Sequence, residues 1–186
     1  MVTEHIDNHG SQTVIDKDPK GQERFHACMK KLSLFLGNKI ASQFNETLDL
    51  SALVLGRDTY KSAVKDLGPV LRVFHLSGPS ETLLLCFEAP LLRQLSHKLL
   101  GGIDEPVCLD LAELQLEDRF VSDTLSQWVR AFFEENQIFF KLEGVEEDIR
   151  RFQLCFPGDD VLFVSLSCQK EPSFLSKIKF IFVQKE

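Results

Sequence analysis

Apolar residues in the first quarter of the chain repeat every three or four positions, as they do on one face of an α-helix. The repeat runs from Phe25 through Leu32 and Leu36 to Phe44, and it predicts a long helix over residues 23–45. The residues before it are mostly polar, which is typical of a disordered arm. We therefore predict an arm over residues 1–22 and one domain over residues 23–186.

Strand and helix patterns then alternate along the chain. Residues 83–87 are continuously apolar, which predicts a strand covered on both faces, and Gly78-Pro79 marks a hairpin turn before it. Pro90 stands where the first turn of a helix accepts proline. The further predicted helices are 59–65, 89–100 and 116–134, and the predicted strands are 52–55, 70–76, 82–87, 138–142, 151–156, 161–168 and 177–183.

The last predicted strand is apolar on both sides. Ile178, Phe180 and Phe182 alternate with Ile181 and Val183, and no helical pattern follows them. We expect this strand to leave an apolar face uncovered, so that the chain self-associates or needs a partner.

The helix over 89–100 ends at two glycines that lead into an acidic segment. A single glycine is enough for a helix C-cap, so we expect the second one to let the segment lie flat against another molecule. Asp104 and Glu105 would orient a basic partner. The predicted partner-binding residues are Gly101, Gly102, Ile103, Asp104 and Glu105. The alternative is an ordinary C-cap followed by a solvated loop.

Composition and charge narrow the functional classes. A net charge of −7 without a visible basic patch argues against nucleic acid as a partner. The five cysteines have no metal-ligand spacing, so we predict reduced thiols and no metal site or cofactor. The chain shows no signal peptide, membrane span, P-loop, dinucleotide fingerprint or cluster of catalytic groups, and we predict that it is not an enzyme.

Two segments resemble each other. Val70-Leu71-Arg72-Val73 and Val161-Leu162-Phe163-Val164 each open a pair of predicted strands. Either the match of apolar letters is chance, or the fold consists of two related strand–strand–helix halves of which the second lacks its helix.

The order of these features resembles the middle domain of the flagellar motor switch protein FliM over about residues 23–183. The residues that carry the resemblance are Arg24-Phe25, Gly68-Pro69, Pro90, Leu99-Leu100-Gly101-Gly102, Leu116-Glu117-Asp118-Arg119 and Trp128.

The resemblance implies an α/β (α+β) fold shared with the CheC and CheX phosphatases, with helices packed on a mixed sheet in pseudo-twofold halves. It implies a non-enzymatic subunit of the cytoplasmic switch ring, or C-ring, at the inner-membrane face. Such a subunit lies beside copies of itself, contacts FliG through the Gly-Gly loop, and takes part in setting the direction of rotation during chemotaxis.

The chain departs from the FliM pattern at three places. Glu4-His5-Ile6-Asp7 lacks the leucines of the peptide that captures phosphorylated CheY, no FliN-pairing domain follows Val183, and Asp104 stands where the loop has a third glycine. Two alternatives stay open: a ring component of a type III secretion apparatus, and a CheC-type phosphatase. The phosphatases carry Glu-x-x-Asn, and no glutamate in this chain has asparagine three residues later.

Overall fold

The chain forms one antiparallel sheet with helices on both of its faces. The structure is a computed structural model that describes residues 19–65, 67–68, 71–102, 114–152, 154, 156–170 and 174–185. Its helices are α1 (Pro19–Phe44), α2 (Tyr60–Lys65), α3 (Ala89–Leu99) and α4 (Leu116–Glu135), with a 3₁₀ turn at Ile149–Arg151. Its strands are β1 (Leu53–Thr59), β2 (Leu71–Ser77), β3 (Glu81–Glu88), β4 (Lys141–Glu146), β5 (Asp160–Lys170) and β6 (Phe174–Gln184).

The six strands lie in the order β1-β5-β6-β3-β2-β4, and each pair of neighbours is antiparallel. The predicted fold class, helices packed on a sheet, is confirmed. The expectation of a mixed sheet is wrong in one respect, because the chain joins β2 to β3 and β5 to β6 as hairpins, which makes antiparallel partners of consecutive strands.

The order of the elements repeats once along the chain. The series α1, β1, α2, β2, β3 is followed, after α3, by α4, β4, the 3₁₀ turn, β5 and β6. Each half gives its first strand to the other half, since β1 pairs with β5 and β4 pairs with β2. The faint sequence echo therefore marks a real topological repeat. In each half the long helix precedes the strands. This order differs from the strand–strand–helix unit that we expected.

The core has one layer on each face of the sheet. Helices α1, α3 and α4 cover the first face, where Leu36, Leu95 and Val129 meet the inward side chains of the strands. The second face is smaller and is covered by α2 and the 3₁₀ turn through Ala63 and Ile149. Apolar residues at helical spacing and in continuous strand runs produce this division, because burial of apolar area is the main driving force for packing.

Strand β6 lies in the middle of the sheet, between β5 and β3. Ile178, Phe180 and Phe182 pack against the first layer, and Ile181 and Val183 pack against the second layer. The expectation that the last strand leaves an apolar face uncovered is therefore wrong. Pairing with β3 places β6 under helices that precede it in the chain, which its own flanking sequence does not reveal.

Several predicted elements differ from the structure in their bounds, and three differences are the most informative. The strand predicted over 151–156 is absent from its described residues, because Phe152 and Leu154 pack on the second layer as irregular chain after the 3₁₀ turn. The strand predicted over 138–142 begins at Lys141, since the Ile138 N–H instead donates to the Phe133 carbonyl at the end of α4. Helix α1 begins at Pro19, and the rest of the predicted arm, residues 1–18, lies outside the described residues.

Candidate functional site

The end of α3 has the hydrogen bonds of a Schellman motif. The Gly101 N–H donates to the Lys98 carbonyl at 3.0 Å, and the Gly102 N–H donates to the His97 carbonyl at 2.9 Å. Gly101 has φ +81°, a left-handed conformation that glycine adopts without strain. The predicted C-cap role of Gly101 is therefore seen directly.

Gly102 has a local role that its place in the sequence does not reveal. A Cβ atom at this position would lie 2.1 Å from Cε1 and 2.3 Å from Nδ1 of His97, so the imidazole ring occupies the space of the absent side chain. Nδ1 of His97 is buried without a hydrogen-bond partner among the described residues. The second glycine thus lets the backbone pass close to the His97 ring. The expectation that Gly102 has no role at the end of the helix is therefore wrong.

Ile103, Asp104 and Glu105 lie outside the described residues, as does the rest of the segment 103–113. The structure does describe the two ends of that segment. At the α3 end, Leu100 exposes 70% of its surface, and at the α4 end Leu116 exposes 76%. Phe120, one helical turn after Leu116, is 59% exposed. Large apolar side chains therefore stand in solvent on both sides of the predicted docking segment, as is common at protein interaction sites.

A buried carboxylate joins these two ends. Asp118 lies in the first turn of α4 and is only 2% exposed. Its Oδ1 accepts from the Ser96 hydroxyl at 2.8 Å, and its Oδ2 accepts from Arg93 Nε at 3.2 Å and from the Gln115 N–H at 2.9 Å. Negative charge is also favoured at a helix N-terminus. Because Arg93 and Ser96 belong to α3, Asp118 holds α3 and the start of α4 together where the segment 103–113 leaves and returns.

This role of Asp118 is only partly visible in the sequence. An acidic side chain in the first helical turn is a helix-start signal, and it was available in Leu116-Glu117-Asp118. The partners on α3 were not available, because no sequence rule pairs residues 22 or 25 positions apart on neighbouring helices.

A second buried carboxylate fixes the other side of α3. Glu46, 2% exposed, accepts from Gln94 Nε2 at 2.7 Å and pairs with Lys170 Nζ at 2.8 Å. These contacts tie α3 to the end of α1 and to β5. The helix that carries the two glycines is therefore held from both sides, and its C-terminal end has a defined position on the domain.

The charged side chains beside β2 and β4 form ion pairs with each other. Arg72 pairs with Glu147 at 3.5 Å, and Arg151 pairs with Glu146 at 3.2 Å, around a cavity of about 320 Å³. The Arg150 guanidinium and backbone N–H lower the pKa of Asp148 to about 2. A carboxylate that is ionised so readily is a weak proton acceptor at neutral pH, so this cluster has the character of a surface ion-pair network.

The buried thiols have the opposite kind of shift. Burial raises the pKa of Cys86 to about 12, and burial also raises the pKa of Cys168. Both are therefore protonated and unreactive in the folded chain. Across the described part of the chain, no group of three His, Cys, Asp or Glu side chains is placed to hold a metal ion. None of the helices in that part is both long and apolar enough to cross a membrane.

Solved structures with the same arrangement of helices and strands include FliM middle domains. A chain in the FliG-FliM complex from H. pylori is 16% identical with a TM-score of 0.73, covering 90% of this chain and 94% of that one. The FliM middle domain from H. pylori is 15% identical with a TM-score of 0.70, covering 90% and 93%. A CheC-like superfamily protein from Shewanella is 13% identical with a TM-score of 0.55, covering 84% and 97%.

No protein-family model and no curated protein matches the sequence. The structural likeness extends over nine tenths of the chain, so it covers both halves of the sheet and the helices on it. The resemblance seen in the sequence and the arrangement seen in the structure agree, and we conclude that this chain has the fold of the FliM middle domain.

Proposed function

We propose that the chain is a non-enzymatic subunit of the flagellar motor switch ring that docks a FliG-like protein through Gly101, Gly102, Ile103, Asp104 and Glu105. The observation that carries the proposal is the fold likeness, at a TM-score of 0.73, to a chain in the FliG-FliM complex. In this role it would be cytoplasmic, peripheral at the inner-membrane face beside copies of itself, and would take part in setting rotation direction. FliN and phosphorylated CheY are weaker candidate partners, and the segment Glu4-His5-Ile6-Asp7 is a degenerate copy of the CheY-binding peptide.

The surface around the two glycines supports docking there. Leu100 and Leu116 stand largely in solvent at the two ends of the segment 103–113, and burial of such side chains supplies affinity. Asp104 and Glu105 would add orientation toward a basic face of the partner. Because Asp118 and Glu46 hold α3 in place, binding would require little ordering of the helix itself.

Replacement of Leu100 by glutamate tests the docking surface. Leu100→Glu puts a charge where we place the apolar contact, and it should weaken binding of a FliG-like protein from the same genome by at least about tenfold in titration calorimetry. Leu34→Glu is the matched control, because Leu34 is also 70% exposed but lies on α1. Equal affinity of the two variants would contradict docking at this surface, provided that both unfold like the parent chain in urea.

The second candidate function is a CheC-type phosphatase, favoured by the fold likeness to the CheC-like protein. The absence of Glu-x-x-Asn argues against it. The two proposals separate in one assay, since a phosphatase would accelerate loss of phosphate from a phosphorylated response regulator and a docking subunit would not. A ring component of a secretion apparatus is distinguished by its partner: it would bind the switch protein of that apparatus instead of the flagellar one.

A further inference from the structure

The outer face of α1 is positively charged, although the chain as a whole has a net charge of −7. The other face of the helix packs into the first core layer, and this one exposes Lys20, Arg24, Lys30 and Lys31 to solvent. Within the described part of the chain, none of these four residues forms an ion pair. Like charges one helical turn apart, as at Lys20 and Arg24, repel each other. An acidic occupant would relieve that repulsion.

The same face also carries apolar side chains. Ala27, Leu34 and Ala41 follow each other at intervals of seven residues, which is about two helical turns. All three are exposed, and Leu34 exposes 70% of its surface. The occupant that fits this face therefore combines acidic with apolar side chains.

Residues 1–18 have both properties and lie directly before the helix in the chain. They contain four acidic residues and a single lysine, Lys17. The acidic residues are Glu4, Asp7, Asp16 and Asp18, and the apolar residues include Val14 and Ile15. Residues 1–18 lie outside the described residues, and their composition is complementary to the outer face of α1 in charge and in apolar content.

The point of attachment puts this segment within reach of the whole charged stretch. The segment joins α1 at Pro19, and Lys31 lies about 18 Å further along the helix at 1.5 Å per residue. About six extended residues span that distance, so a segment of this length that turns back at Pro19 passes every basic residue of the face. A short covalent tether also gives an effective concentration of about millimolar, at which weak contacts are populated.

We propose that residues 1–18 fold back along the outer face of α1, with their acidic side chains against its lysines and Arg24 and their apolar side chains over Ala27 and Leu34. A second copy of the same face is a poorer occupant, because it would set positive charge against positive charge. While the contact is formed, any molecule that binds the segment or this face of α1 has to displace it first. The inference does not depend on the proposed switch role.

Cleavage within residues 1–18 of the full chain measures how often the segment is free, because proteolysis follows the population of the open form. The probe is an endoproteinase that cuts before aspartate, with cleavage at Asp7 and Asp16 followed by mass spectrometry. Arg24→Glu together with Lys31→Glu should speed this cleavage by at least about fivefold, since several weak ion pairs are lost at once. The cleavage sites themselves are the same in both chains.

Two lysines on the other side of the sheet provide the matched control. Lys61→Glu together with Lys65→Glu makes the same change of charge at exposed positions of α2, and cleavage should keep the rate of the parent chain. Equal cleavage rates in the two double variants would overturn the proposal. Matching urea unfolding curves would show that both variants keep the fold.

Salt and chain concentration test the nature of the contact. Raising the salt from about 50 mM to about 500 mM should speed cleavage of the parent chain and of the α2 variant, because screening weakens the ion pairs. The variant with glutamate at positions 24 and 31 should respond less. Protection that grows with chain concentration would place the segment on another copy and would overturn the proposal.

Discussion

We predict that Asp118 contributes most to holding the end of α3 and the start of α4 together, at the two ends of the segment 103–113. Asp118→Ala removes the acceptor of three hydrogen bonds and leaves Arg93, whose side chain is 12% exposed, without that carboxylate. Breaking a buried ion pair from one side typically costs about 3–5 kcal/mol. Asp118→Asn keeps one oxygen acceptor and the size of the side chain, and should cost about 1–3 kcal/mol.

Urea unfolding followed by circular dichroism measures these losses in the free energy of unfolding. A thermal scan is a second measurement, because a domain of this size loses roughly 2–4 °C of melting temperature per kcal/mol. Asp118→Ala should therefore melt roughly 6–20 °C lower than the parent chain. Asp123→Asn is the matched control on the same helix, because Asp123 is 50% exposed and its contact with Arg72 is long at 3.7 Å. We expect it to cost less than about 1 kcal/mol.

Hydrogen exchange distinguishes a local role from a general loss of stability. If Asp118 holds the two ends of the segment together, Asp118→Asn should speed exchange at Gly101 and Gly102 more than in the middle strands of the sheet. An Asp118→Ala variant that unfolds like Asp123→Asn would refute the reasoning. Uniform acceleration across the domain would show that Asp118 stabilises the fold without fixing this end of α3.

Two further predictions concern the helix end and one ion pair. Gly101→Ala should lower the free energy of unfolding by about 1–2 kcal/mol, because alanine is strained at the left-handed φ of this position. The cost of Gly102→Ala comes from the His97 ring, so it should be smaller by at least about 0.5 kcal/mol in a His97→Ala background. Strictly additive urea unfolding energies at Gly102 and His97 would contradict this. In an NMR titration the pKa of Asp148 should be about 2 and should rise in Arg150→Ala. Because folding lowers this pKa, the pair supports the fold at pH values above the ordinary carboxyl range and loses that effect as the pH falls toward 2. An unchanged pKa in Arg150→Ala would exclude Arg150 as the cause.

The local spacing of apolar residues was enough to predict the helices and strands that bury one continuous apolar face. The spacing of Phe25, Leu32 and Leu36 predicts α1 because one helical face must be covered, and the apolar run at 83–87 predicts β3 because the strand is covered on both faces. Phe152 and Leu154, which alternate in the segment predicted as a strand, belong to irregular chain in the described residues of that segment. Side chains of irregular chain that cover a sheet can alternate in the same way without joining its ladder.

The candidate site was located by the same local reasoning only in part. Two glycines after a helix identify its end, and Gly101 behaves as the pattern predicts. The reason for Gly102 lies in the rotamer of His97, and the reason for Asp118 lies in the packing of α3 against α4. Both depend on how separate elements meet, and periodicity along one element contains no information about that.

The exchange of first strands between the two halves has a consequence for how the chain is made. In the middle of the sheet β3 pairs with β6, and Leu85 lies opposite Phe180. Residues that are far apart in the sequence must therefore pair before the hydrophobic core can form. Folding of such a high-contact-order topology is intrinsically slow. During translation the first half would therefore wait with each of its three strands lacking a neighbour from the second half, and a chaperone would be of most use in that interval.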